Sequence, residues 1–166
     1  MNDPLNHFLK HFGESIGLGA LEFDATGALG LAVDGQALGL QRDDERGRLL
    51  LYTDLGPLPA GTPDASREML AIRLLQASLF GNLAASGTLA LAPDSQDPEQ
   101  PLRVVLWRAM EIAALDLGGL ERGIKQMVDA AEDWREALLE WSEQGRQAVD
   151  SDSGASGVHP TMAIWG

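Results

Sequence analysis

Cysteine is absent from this chain of 166 residues. Disulfides, thiolate metal sites and a cysteine nucleophile are thereby excluded. Aromatic residues make up only 5%, so leucine and alanine must do most of the packing. Positive charge is scarce: 12 Lys and Arg stand against 25 Asp and Glu, for a net charge of -13. Such a balance argues against nucleic acid, whose phosphates need a positive field. It also repels an anionic membrane surface, and it suits a basic or polar partner segment. No apolar run approaches the length of a membrane-spanning helix, so no membrane insertion is expected. The first residues, Met1-Asn2-Asp3-Pro4-Leu5, lack the basic region and long apolar run of a secretory signal. The expected location is cytoplasmic. What is present is an ordinary apolar fraction of 45%, enough for one domain with a real core.

Pro4 suits the start of a helix, with Asp3 as its N-cap. Leu5, Phe8, Leu9 and Phe12 recur at i, i+3, i+4 and i+7, which is one helix face. Gly13 and Gly17 are read as its end. Strands are predicted at 21–23 and 28–33, divided by a turn at Asp24-Ala25-Thr26-Gly27. Asp34-Gly35 is a two-residue hairpin signal. It leads to a third strand at 36–41, a charged turn at 42–46 and a fourth strand at 48–53. Connections this short make an antiparallel meander.

Prolines stiffen residues 56–63, and Ser66 is a candidate N-cap for a helix at 67–79. Leu70, Ile72, Leu74, Leu75 and Ala77 leave that helix little polar surface. A helix apolar on most sides must be covered on more than one. The sheet covers one side, and a second copy of the chain is expected to cover the other. Two more strands, at 88–92 and 102–108, flank an acidic, proline-rich loop. A long helix is predicted at 117–144 with Asp116 as N-cap. Ile124, Met127, Val128, Ala131, Trp134, Leu138 and Trp141 mark its apolar face. Beyond it the composition is mostly Ser, Gly, Asp and Ala, which predicts a flexible tail. The division is a domain at 1–145 and a tail at 146–166, with an apolar patch from Met162 to Trp165.

Chemistry-bearing patterns are few. His7 and His11 lie at i, i+4 and one metal could reach both, but no third ligand is evident and a closed zinc site needs four. Asp43-Asp44-Glu45 and the acidic residues at 94–99 do not match a calcium loop. Asp129, Glu132, Asp133 and Glu136 read as the solvated face of the last helix. No Gly-x-Ser-x-Gly elbow occurs, and the glycines at 17–19 and 27–30 do not precede a helix as a phosphate loop would. No catalytic residue, metal site or cofactor is expected.

The order of elements, with several local phrases, resembles the class I type III secretion chaperones, the Tir-chaperone family. The likeness runs from about Leu5 to Trp134. Leu21-Glu22-Phe23-Asp24-Ala25-Thr26-Gly27 looks like the family's first hairpin and Val33-Asp34-Gly35 like its second. Residues 51–59 and 79–94 look like its strand-loop-helix and helix-strand junctions. Ala130-Ala131-Glu132-Asp133-Trp134-Arg135 is similar to the close of its last helix. The resemblance implies an α+β fold: a bent antiparallel sheet with three helices, forming a homodimeric sandwich. It implies binding, without catalysis or ATP, of the N-terminal chaperone-binding region of one or more secreted effectors in extended form. Apolar anchors would enter beside the first helix, at Leu5, Phe8, Leu9, Phe12, Leu21, Phe23 and Leu31. A partner strand would add to an exposed sheet edge. The dimer would form through Leu70, Leu74, Leu75, Ala77 and Ser78.

Two rivals stand beside this reading. One is a regulatory adaptor of the same fold acting through a protein partner. The other is a small hydrolase or metal enzyme, for which the sequence nominates no residues.

Overall fold

The computed structural model describes residues 4–58, 64–79, 87–93 and 102–153. Asp34 and Gly35 both take positive φ, 52° and 79°, as a tight two-residue hairpin requires. They join β1 (Ala28–Val33) to β2 (Gln36–Asp43), with Val33 opposite Gln36. β3 (Arg48–Pro57) continues the antiparallel meander beside β2. After the second helix come β4 (Thr88–Ala92) and β5 (Arg103–Glu111). The last strand inserts between β3 and β4, giving the order β1-β2-β3-β5-β4. Among the described residues, β1 and β4 are therefore the two sheet edges.

The period of two typical of a half-buried strand decides which face packs. In β3, Leu49, Leu51, Thr53 and Leu55 are buried, while Arg48, Tyr52 and Asp54 point the other way and are exposed. β3 then bulges between Asp54 and Gly56. Gly56 takes φ +113° there, a backbone that suits glycine. The Asp54 carboxylate accepts from the Gly56 amide at 2.8 Å and pairs with Arg103. Leu58 is thereby turned back into the core.

Two helices cover the buried face: α1 (Pro4–Ser15) and α3 (Leu117–Ser153). α1 contributes Leu5, Leu9 and Phe12; α3 contributes Leu120, Ile124, Met127, Val128, Ala131, Trp134 and Leu138. Asp116 caps α3 by accepting from the Gly119 amide, as its sequence position predicts. A polar clamp also ties α3 to the sheet. The Arg135 guanidinium donates to the Gln36 side-chain carbonyl and to the Asp54 backbone carbonyl. Gln36 in turn donates to the Thr53 hydroxyl at 2.6 Å, and Thr53 to the Ala37 carbonyl at 2.8 Å. Gln36 and Thr53 are buried, and this chain satisfies polar atoms that would otherwise cost free energy.

α2 (Asp64–Ser78) lies beside β4. The Ser78 hydroxyl accepts from the Leu89 amide at 2.9 Å and donates to the Leu89 carbonyl.

Several expectations need correction. Residues 21–23 form no strand. The Asp24 amide donates to the Ala28 carbonyl and its carboxylate accepts from the Ala28 amide, which closes the predicted turn at 24–27, but no ladder extends from it back to 21–23. The likeness of 21–27 to a family hairpin therefore fails as a strand pairing. Gly13 does not end α1 but lies within it, and Ser66 lies within α2, whose first residue is Asp64. α3 runs to Ser153, past the expected end at Gln144. A 3-10 turn at Ile112–Ala114 joins β5 to α3. Asp3, the loops at 59–63 and 94–101, and the Met162–Trp165 patch fall outside the described residues.

Candidate functional site

The apolar stripe of the first helix supplies one wall of a concavity. Phe12 and Ile16 meet Val33 and Asp34 of the β1–β2 hairpin, with Ile124, Val128 and Lys125 of α3 opposite. Its volume is about 430 Å³. The floor is aliphatic and aromatic, and Asp34, Glu121, Lys125 and Asp129 ring the mouth. Tight pairing of the Asp34-Gly35 turn sets Val33 at this position, and the i, i+4 repeat of Ile124 and Val128 supplies the facing wall. The site can take an apolar side chain; no nucleophile or buried acid lines it.

β1 ends at this concavity and is an open sheet edge among the described residues. Each edge is plugged at one residue: Asp24 takes the amide and the carbonyl of Ala28 at the start of β1, and Ser78 takes both backbone groups of Leu89 in β4. α2 also lies beside β4, so the template for strand addition is the part of β1 past Ala28, residues 30–33, which borders the concavity.

The residues expected to bind a partner separate into two groups. Leu5, Leu9, Phe12 and Leu31 are buried in the core, while Phe8, Leu21 and Phe23 are half-buried against it. The Arg42 guanidinium lies 5.6 Å from the Phe23 ring centroid. Ile16, Val33, Ile124 and Val128 were not singled out from sequence as partner-binding. Ile16, one turn past Phe12 at i+4, carried the signal; the α3 side depends on tertiary packing. Of the residues expected at a dimer interface, Leu74 and Ala77 are buried, Leu70 and Ser78 are half-buried, and Leu75 is 72% exposed. Ile72 and Leu79 are also exposed.

The His7 and His11 rings stack edge-on with centroids 4.4 Å apart, and His11 approaches Glu14 at 3.7 Å. No group of three or more metal-ligating side chains gathers among the described residues. No helix among them is long and apolar enough to cross a membrane.

The model of the Tir chaperone protein (CesT) family matches residues 7–135. The chain belongs to this family. Three helices on a five-stranded antiparallel sheet are the α+β fold of type III secretion chaperone structures. The HopA1-SchA chaperone-effector complex matches with 27% identity and a TM-score of 0.60, covering 82% of this chain and 99% of the other. The ExsC-ExsE complex matches at 24% identity and a TM-score of 0.64, covering 81% and 93%. The Yersinia pestis type III secretion chaperone SycH, in complex with a YscM2 fragment, matches at 21% and 0.56, covering 77% and 97%. No curated protein sequence matches the chain. For a CesT-family protein, the apolar concavity beside an open strand is the feature of the described surface that suits an extended polypeptide.

Proposed function

We propose that the protein is a type III secretion chaperone. It binds the N-terminal chaperone-binding region of one or more effectors and keeps that region extended and export-competent. The juxtaposition of the open β1 edge with the Phe12–Ile16–Val33–Ile124–Val128 concavity carries this reading. An extended segment adding to β1 would place an apolar side chain in that concavity as it passes. Half-buried Phe8, Leu21 and Phe23 offer further apolar contact, whereas buried Leu5, Leu9, Phe12 and Leu31 act mainly as the support beneath.

The reading includes a cytoplasmic homodimer without catalysis or cofactor, interacting with neither nucleic acid nor membrane. The exposed apolar side chains of α2 and its end, Ile72, Leu75 and Leu79, support the dimer together with half-buried Leu70 and Ser78, while buried Leu74 and Ala77 pack beneath them in the protomer's core. The division into a binding domain at 1–145 and a tail at 146–166 belongs to the same reading, with residues 146–153 of that tail continuing α3. The test is affinity purification from the native bacterium with its secretion system expressed, followed by mass spectrometry. A secreted protein retained through its N-terminal region is the expected result. Absence of any secreted protein under those conditions would overturn the reading.

A further inference from the structure

α3 carries a second concavity on its other flank, also about 430 Å³. Trp134, Ala137, Trp141 and Ala130 form its apolar wall, and Asp129 and Asp133 its rim. The two indoles meet edge to face with centroids 5.9 Å apart. Their helical spacing, i and i+7, stacks them two turns apart on one side. Asp129 and Asp133 stand at i, i+4, where like charges repel.

We propose that this flank of α3 binds a basic stretch of the secreted client, an arginine or lysine beside an apolar residue. This inference rests on the client-binding reading above and names the chemistry of a second contact. Two observations support a cation there, beside an indole that already meets one. The chain's own Arg73 places its guanidinium 5.3 Å from the Trp141 ring centroid, so that indole already has a cation–π partner and the place for a client cation is the aspartate rim. The rim supplies two exposed carboxylates beside the indole pair. The surrounding field is negative: from residue 126 to 144 the exposed charges are Asp129, Glu132, Asp133, Glu136, Glu140 and Glu143. The single cation of that stretch, Arg135, is engaged with Gln36 and Asp54. At the Gln126 end, Arg108 donates to the Gln126 side-chain carbonyl at 2.9 Å and is engaged there. A partner's apolar side chain would pack on Ala137 and Trp134 while its cation spans the aspartates.

The probe is a short peptide of alternating arginine and leucine, with the glutamate–leucine peptide as control. Binding to the full chain is followed by the indole N–H signals of the ¹⁵N-labelled protein, assigned by Trp-to-Phe variants. The Arg–Leu peptide should shift the Trp134 and Trp141 signals, and the Glu–Leu peptide should not. The D129N/D133N double variant should weaken binding by about tenfold, as should W141L. The D44N/E45Q variant removes the same formal charge on the β2–β3 turn and should leave affinity within about twofold. Equal losses in both double variants, or unmoved Trp134 and Trp141 signals, would overturn the proposal. If that happened while a client still co-purified, only this contact would be lost and the chaperone reading would stand.

Discussion

Gly13 shows how one residue can serve a purpose invisible to sequence reading. Gly13 and Gly17 look like the punctuation of a helix end, yet α1 continues through the first of them. The reason is close approach: a Cβ on Gly13 would collide with the Gly19 carbonyl and crowd the Leu21 side chain. Glycine lets the segment after α1 cross back over it. Replacing glycine by alanine inside a helix ordinarily gains about 1 kcal/mol. Here the collision involves backbone, and overpacking of this kind costs roughly 1–3 kcal/mol. Gly13→Ala is therefore expected to lower stability in urea unfolding despite the better helix propensity. Asp24 makes a second residue-scale prediction. Its carboxylate accepts from the Thr26 hydroxyl at 2.7 Å and from the Ala28 and Thr26 amides. These bonds, the hydroxyl's first, hold its pKa below the usual carboxylate value. The folded pKa lies below the unfolded one, so the stabilising contribution is present above the unfolded value. It is lost as pH falls through the folded one. Wild type should thus exceed Asp24→Ala in stability at neutral pH, with the gap closing in strong acid; NMR titration of the Asp24 carboxyl reads the shift directly.

At the scale of elements, the strands bounded by strong turn residues were legible in the sequence. Residues 28–33 and 88–92 match β1 and β4 at both ends, because Gly27, the Asp34-Gly35 turn, Gly87 and Pro93 mark where extended backbone stops. The failures have physical causes. Residues 21–23 have strand composition but do not extend along β1: Asp24 takes both backbone groups of Ala28, and Leu21 packs at Gly13 of α1 instead. The end of α3 was misjudged because Gly145 and the serines after it read as a coil. Helix propagation from a long formed helix adds a hydrogen bond for each residue fixed, and the helix continues to Ser153. In the candidate site, the α1 stripe was visible from its spacing. The facing wall was not, because Val33 and Ile124 are brought to Phe12 only by the sheet and α3 together. α2 yields the prediction that separates fold from assembly. Leu74 is 4% exposed and belongs to the protomer's own core, so Leu74→Asp would bury a charge and unfold the domain. Leu75→Asp is the discriminating variant: light scattering should show a halved solution mass with the thermal midpoint largely kept. An unchanged mass would reject α2 as the interface.

For the whole molecule, the distribution of polarity matters more than any single group. A net charge of -13 keeps a protein with open apolar surface soluble. That surface includes the α2 face and the outward side of the sheet, where Tyr52 and Trp107 lie opposite each other on β3 and β5 and are partly exposed. Tyr52 lies over Gly39, which has no side chain to displace it. Each sheet edge is plugged at one residue, Ala28 by Asp24 and Leu89 by Ser78, and the central structural claim is what lies beyond the plugs: α2 flanks β4, whereas residues 30–33 of β1 run open beside an apolar concavity. Hydrogen–deuterium exchange, comparing the protein alone with its co-purified client complex, tests that claim most directly. The account predicts new protection in the amides of residues 30–33, past the Ala28 amide already held by Asp24, and little protection in the bound client beyond the segment that pairs with them. Unchanged exchange across β1, with a client protected throughout as a folded globule, would contradict it.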